Sequence, residues 1–276
     1  MSAPVLRGHW LTPDTGRPLL VVGPSLGTGV VALWQECARH LAARAEVDVL
    51  GWDLPGHGDG DPCSDAFTVE DLGRSVVGLV DDVRPGEAFA YAGVSVGGVV
   101  GLTLATGRSG GVGRVRGSAV LCSGAKIGTA EGWHERAATV RREGTVSMVE
   151  GSTQRWFAPG FLEREEGTAS ALLAGLEQAD DESYARVCEA LAAADLRPYL
   201  EDVTVPVLVL GGRHDQVVPP ATQEQLAGAI PSARLVIAEG SAHLAPGEQP
   251  LEVAEELAGW LDQVVRPGPP AEEGRF

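Results

Sequence analysis

Short, mostly apolar runs punctuate the chain at residues 19–22, 47–52, 89–93, 118–122, 207–210 and 235–237. Runs of this length between turn residues are the pattern of strands buried on both faces, as in a parallel sheet. Between them the period changes. Over residues 68–83, Leu72, Val76, Leu79, Val80 and Val83 recur at three- and four-residue steps, the apolar stripe of an amphipathic helix. Thr68 and Asp71 form a capping pair at its start. Residues 222–230 and 251–265 carry similar stripes. Strand and helix in alternation predict an α/β fold, a mostly parallel twisted sheet flanked by helices. The short segment before Leu19 leaves room for one further strand, within residues 5–11.

The alternation stops between residues 124 and 200. This stretch has no strand pattern, is rich in helix formers and holds Trp133, Trp156, Phe157, Phe161 and Tyr184. It reads as an inserted helical cap over one end of the sheet, dividing the core into residues 1–123 and 201–265. Residues 266–276 are rich in proline and glycine without an apolar period, and read as a flexible tail or linker.

With 276 residues and 44% hydrophobic content, the chain can build one large core without disulfides or metals. No apolar run reaches the length of a membrane span, and the first seven residues lack the pattern of a signal peptide. The four cysteines are scattered, without metal-ligand or CxxC spacing, as expected of free thiols in the cytoplasm. A formal charge of −17 argues against nucleic acid and membrane surfaces as partners. An anionic small molecule would have to be drawn in by local arginines, since Lys126 is the single lysine. Oligomeric state is open, a homo-oligomer included.

Candidate chemistry is concentrated at strand ends. Gly93-Val94-Ser95-Val96-Gly97 follows one predicted strand and opens a helix, the context in which G-x-S-x-G presents a nucleophilic serine on a sharp turn. Asp215 directly follows the strand at 207–210, and His243 follows the last one. The order Ser, Asp, His is that of an α/β-hydrolase triad, and all three leave carboxyl ends of strands, where open α/β sheets bind ligands. One oxyanion donor would be the Val96 N–H. The other would come from the loop Gly23-Pro-Ser-Leu-Gly-Thr28, through Leu26. His214 is too close to Asp215 in sequence to take its orienting bond, and His57 reads as a turn residue between Gly56 and Gly58. No histidine makes a metal spacing with another.

These motifs resemble the α/β-hydrolase superfamily. Three stretches resemble 3-oxoadipate enol-lactonases in particular: Ser25-Leu-Gly-Thr28, residues 125–141 around Trp133 and Arg136, and Arg155-Trp-Phe-Ala-Pro159. The resemblance runs from Leu19 to Leu261. Pro24 and Val96 depart from it, standing where asparagine and methionine are common. It implies a cofactor-free serine hydrolase that opens an anionic enol-lactone to 3-oxoadipate in aromatic-compound degradation, with Ser25, Trp133, Arg136 and Arg197 as candidate substrate contacts. Some relatives continue into a 4-carboxymuconolactone decarboxylase domain, and the Pro-rich tail would suit such a junction. Competing readings are a carboxylesterase or cofactor-free perhydrolase of the same fold and, in a different class, a ligand-binding protein without catalysis. Haloalkane dehalogenases need a carboxylate where Ser95 stands.

Overall fold

The computed structural model describes residues 3–265; the proline-rich tail lies outside them. Seven strands form one sheet: β1 (Arg7–Trp10), β2 (Leu19–Gly23), β3 (Asp48–Asp53), β4 (Phe89–Val94), β5 (Val115–Leu121), β6 (Val207–Gly212) and β7 (Ala233–Ala238), in the order β1-β3-β2-β4-β5-β6-β7. β1 is antiparallel to β3, and every other pairing is parallel. The apolar runs predict the central strands because β2, β3, β4 and β6 are buried at every residue. The edge strands β1 and β7 are partly exposed, and their runs are correspondingly weak.

β5 begins three residues before the apolar run at 118–122 and ends before Cys122. Exposed Arg116 and buried Gly117 break the run. Gly117 is required by packing, because a Cβ there would lie 2.9 Å from the Trp260 ring and from Val264.

Helices α1 (Val30–Ala42), α2 (Val69–Val83) and α3 (Val96–Ala105) connect the first strands. α2 starts with the capping box expected of Thr68 and Asp71, in which each side chain bonds the other residue's backbone N–H. Between β5 and β6 lie α4 (Ala130–Glu143), α5 (Val149–Trp156), α6 (Phe161–Arg164), α7 (Glu166–Gln178) and α8 (Asp181–Ala193), with α4 packed on α8. We call this helical layer the cap. Buried Trp156, Phe157, Phe161, Leu172, Leu176 and Tyr184 join it to the main core. Then come α9 (Pro220–Ala229), α10 (Ala245–Glu248) and α11 (Pro250–Val265). Among the described residues no helix is long and apolar enough to cross a membrane.

The chain moves outward from β2 to β3, then returns to place β4 on the other side of β2. The loops after β2 and β4 therefore diverge at their carboxyl ends, the switch point where such sheets leave a crevice.

Candidate active site

β4 passes into α3 through Ser95 alone. Its backbone has φ 54° and ψ −116°, a region that a residue with a Cβ enters only when its surroundings hold it there. Three bonds do so. The Ser95 N–H donates to the Leu121 carbonyl (3.0 Å) and the Gly97 N–H to the Pro24 carbonyl (3.1 Å), while the Ser123 hydroxyl donates to the Ser95 carbonyl (2.6 Å). Glycine at 93 and 97 is a matter of space. A Cβ on Gly93 would lie 2.3 Å from the Gly97 carbonyl carbon, and one on Gly97 2.7 Å from the Pro24 oxygen. The serine is held at the carboxyl edge of the sheet, 6% exposed.

Asp215 and His243 leave β6 and β7 on loops at the same edge. The Asp215 Oδ1 accepts the N–H groups of Val217 (2.8 Å) and Val218 (2.9 Å), and its Oδ2 lies 2.9 Å from His243 Nδ1. Both side chains are buried. The carboxylate fixes the tautomer, so Nδ1–H donates to it and Nε2 is left as the ring's acceptor.

Residues 121–123 join the serine turn to the histidine loop. Leu121 and Ser123 hold Ser95, while Cys122 donates its thiol to the Ala242 carbonyl (3.4 Å) and its N–H to Leu210 (2.8 Å). Cys122 itself has φ 46°, a conformation maintained by these contacts. No hydrogen bond joins the Ser95 hydroxyl to His243 Nε2 in this structure. In unliganded sites such a bond is often formed only when substrate binds.

The loop after β2 closes on itself: the Ser25 N–H donates to Thr28 Oγ1 (3.1 Å), and the Thr28 N–H and hydroxyl donate back to the Ser25 carbonyl (3.1 and 3.0 Å). Neither the Leu26 nor the Val96 N–H has an acceptor among the described residues. Two free amides on adjoining turns can receive one oxygen that is gaining charge.

The cap contributes cations. Arg136, on α4, donates Nε–H to the Tyr184 hydroxyl (2.8 Å), with its guanidinium 5.8 Å from the Trp133 ring centroid. The Trp133 indole N–H is bound by the Ile127 carbonyl (2.6 Å). Arg155, on α5, is absent from the expected set, yet with Trp133, Arg136, Gln216 and Val217 it lines a cavity of about 210 Å³ beginning one residue beyond Asp215. Neither Arg136 nor Arg155 has a carboxylate partner among the described residues, whereas Arg141, Arg186 and Arg197 are all paired. Burial, and then the charge of Arg136, depress the pKa of Arg155.

Arg197 is not brought to this cavity. It is exposed, paired with Asp195, and lines a separate surface pocket with Leu200 and Thr222. His57, read as a turn residue, is fully buried with its ring stacked on Tyr184 (centroids 5.7 Å apart), and its Nε2 lacks a partner among the described residues. Burial lowers its pKa.

Residues 10–256 match the alpha/beta hydrolase family. The chain belongs to that family. Among curated relatives this α/β hydrolase is 34% identical to 3-oxoadipate enol-lactonase 2 of Acinetobacter baylyi, over 85% of each chain. It is 29% identical to 3-oxoadipate enol-lactonase 1 of the same organism, over 90% of each. Among solved structures, the enol-lactonase from Burkholderia xenovorans LB400 superposes with a TM-score of 0.85 at 32% identity, covering 93% of this chain and 96% of that one. A thermophilic esterase from Thermogutta terrifontis, solved with malate bound, gives a TM-score of 0.85 at 25% identity, covering 94% and 93%. The hydrolase fold expected from the motifs is thus the fold of this chain.

Proposed function

We propose that this α/β hydrolase is a cytoplasmic serine hydrolase that opens 3-oxoadipate enol-lactone to 3-oxoadipate in aromatic-compound degradation. The observation that carries the substrate reading is the cavity lined by Gln216 and Val217 of the Asp215 loop and by two cap guanidiniums, Arg136 and Arg155, without carboxylate partners among the described residues. In a chain of charge −17, a pair of unneutralised cations on one cavity favours a bound anion, and the lactone carries one carboxylate. The named enol-lactonase relatives support the same reading, and the malate in the related esterase is likewise a carboxylate ligand.

In the proposed reaction the Ser95 hydroxyl turns toward His243 Nε2, which takes its proton as Oγ bonds to the lactone carbonyl carbon. The carbonyl oxygen becomes an oxyanion and accepts the Leu26 and Val96 N–H groups. Loss of one such donor costs about a hundred- to a thousandfold in rate. The ring C–O bond breaks and the enolate oxygen takes the proton from the imidazolium, giving an enol that tautomerises to the ketone. Water then attacks the acyl-enzyme, with His243 as base, releasing the second carboxylate and restoring Ser95. Asp215 holds the imidazole in the useful tautomer throughout and offsets its charge. Arg136 and Arg155 hold the substrate carboxylate, with Trp133 against the ring and Ser25 at the mouth of the oxyanion loop.

The deciding experiment follows turnover of the enol-lactone beside a panel of neutral p-nitrophenyl esters. The expected result is strong preference for the lactone and loss of all turnover in a folded Ser95→Ala variant. Near-normal activity of that variant overturns the serine mechanism. Equal turnover of neutral esters and lactone overturns the substrate.

A further inference from the structure

Glu248 is a buried carboxylate that the proposed reaction does not use. It ends α10, five residues after His243, and is 5% exposed. Its Oε1 accepts the N–H groups of Ala242 (2.9 Å) and Leu244 (3.2 Å), the two neighbours of His243. Its Oε2 accepts the N–H of Ala158 (2.6 Å), two residues beyond the end of α5 in the cap. The N–H of His243 itself donates to the Trp156 carbonyl (3.0 Å), again in the cap. Every amide of the histidine tripeptide is therefore bound, one by the cap directly and two by a side chain that also grips the cap. Trp156 extends the connection, since a Cβ on Gly27 would lie 3.2 Å from its ring. The same cap segment thus rests on the oxyanion loop. A carboxylate is expensive to bury. Here its two oxygens let one side chain accept N–H groups from two separate parts of the fold.

We propose that Glu248 is a positioning residue that fastens the His243 loop to cap residues 156–158, so that the imidazole stands ready for proton transfer only while the cap occupies this position. The inference rests on the serine-hydrolase reading of Ser95, Asp215 and His243. Its energetic logic is geometric: displacement of a reacting group by about 1 Å can cost about a hundredfold in rate.

Two substitutions cut the link from opposite sides. Glu248→Gln keeps the size, but its amide NH2 must face an N–H, so one attachment is lost. Ala158→Pro deletes the N–H on the cap side and leaves the side chain of Glu248 and the sequence of the His243 loop unchanged. Phe157 before it already has the extended backbone that a residue preceding proline requires (φ −114°, ψ 141°). The readouts are the rate of covalent labelling by a fluorophosphonate and the split between kcat and KM on the lactone, in variants shown to be folded by circular dichroism and a cooperative melt.

Each single variant is expected to label about ten- to a hundredfold more slowly than the parent, with kcat reduced in step and KM within about twofold. The double variant should be no slower than the slower single one, because both break one connection. Parental labelling rates in either folded variant, or losses that multiply in the double, overturn the inference while leaving the hydrolase reading intact. A parent protein that is not labelled at all overturns both. Should Glu248→Gln fail to fold, Ala158→Pro alone decides the question.

Discussion

Arg136 and Arg155 repel one another, and without a ligand their proximity is a cost to the fold. The cost is offset when an anion binds between them. Arg155→Ala should therefore raise KM for the anionic lactone about tenfold, the scale of one charge-assisted hydrogen bond, and leave neutral-ester kinetics nearly unchanged. Parallel steady-state assays on the two substrates check this. Glu248 makes a prediction about stability. Burial, opposed by its three N–H bonds and the charge of His243, pushes its pKa from the ordinary 4.5 up to about 7. Between those values the folded protein holds a proton that the unfolded chain has released. The stability this group contributes is thus full below about pH 4.5 and lost as pH rises through about 7. Urea denaturation at pH 5 and pH 8 should show the parent losing more stability across that window than Glu248→Gln, and equal losses would contradict the assignment. At this scale the triad candidates were legible because each carries a motif or follows a strand. Glu248 carries no such local mark, and Arg155, though it opens one of the stretches that resemble enol-lactonases, carries none that sets it apart as a ligand contact, since one glutamate or arginine in a helix is usually a solvated charge.

The elements were legible wherever one physical rule dominates. Strands buried on both faces had to be mostly apolar, so β2, β4, β6 and the middle of β3 between Asp48 and Asp53 stand out. β5 stands out only from Ser118 onward, because its first residues answer to α11 packing at Gly117 and not to hydropathy. α2 was marked by its stripe and its cap. Thr68→Ala removes one half of the capping box and should cost about 1 kcal/mol, lowering the melting temperature by a few degrees with kcat unchanged; calorimetry together with the lactone assay tests both halves. Gly97→Ala is an opposite case. It places a methyl group 2.7 Å from the Pro24 oxygen, so the serine turn and the loop after β2 must separate, and activity should fall by at least about tenfold even in variants that retain a cooperative melt.

The whole molecule sets the field in which the substrate arrives. In the proposed reaction its charge of −17 repels the anionic lactone at long range, whereas the two cap arginines would attract it at contact. Salt screens the distant charges most, with a Debye length of about 10 Å at 0.1 M. kcat/KM for the lactone should therefore rise with added salt relative to a neutral ester, and a fall would show that local attraction dominates the approach. The burial of Ser95 and His243, 6% and 1% exposed, is another property of the assembled protein. The sequence by itself determined the α/β alternation, the serine turn and the chain order of the triad candidates, because those features follow from local period, turn sterics and position after a strand. Tertiary structure alone decided that Arg155 joins Arg136 on one cavity that Arg197 does not line, and that Glu248 reaches from α10 to the cap. Burial and pairing of a charge depend on residues brought near by the fold, and no window along the chain contains them.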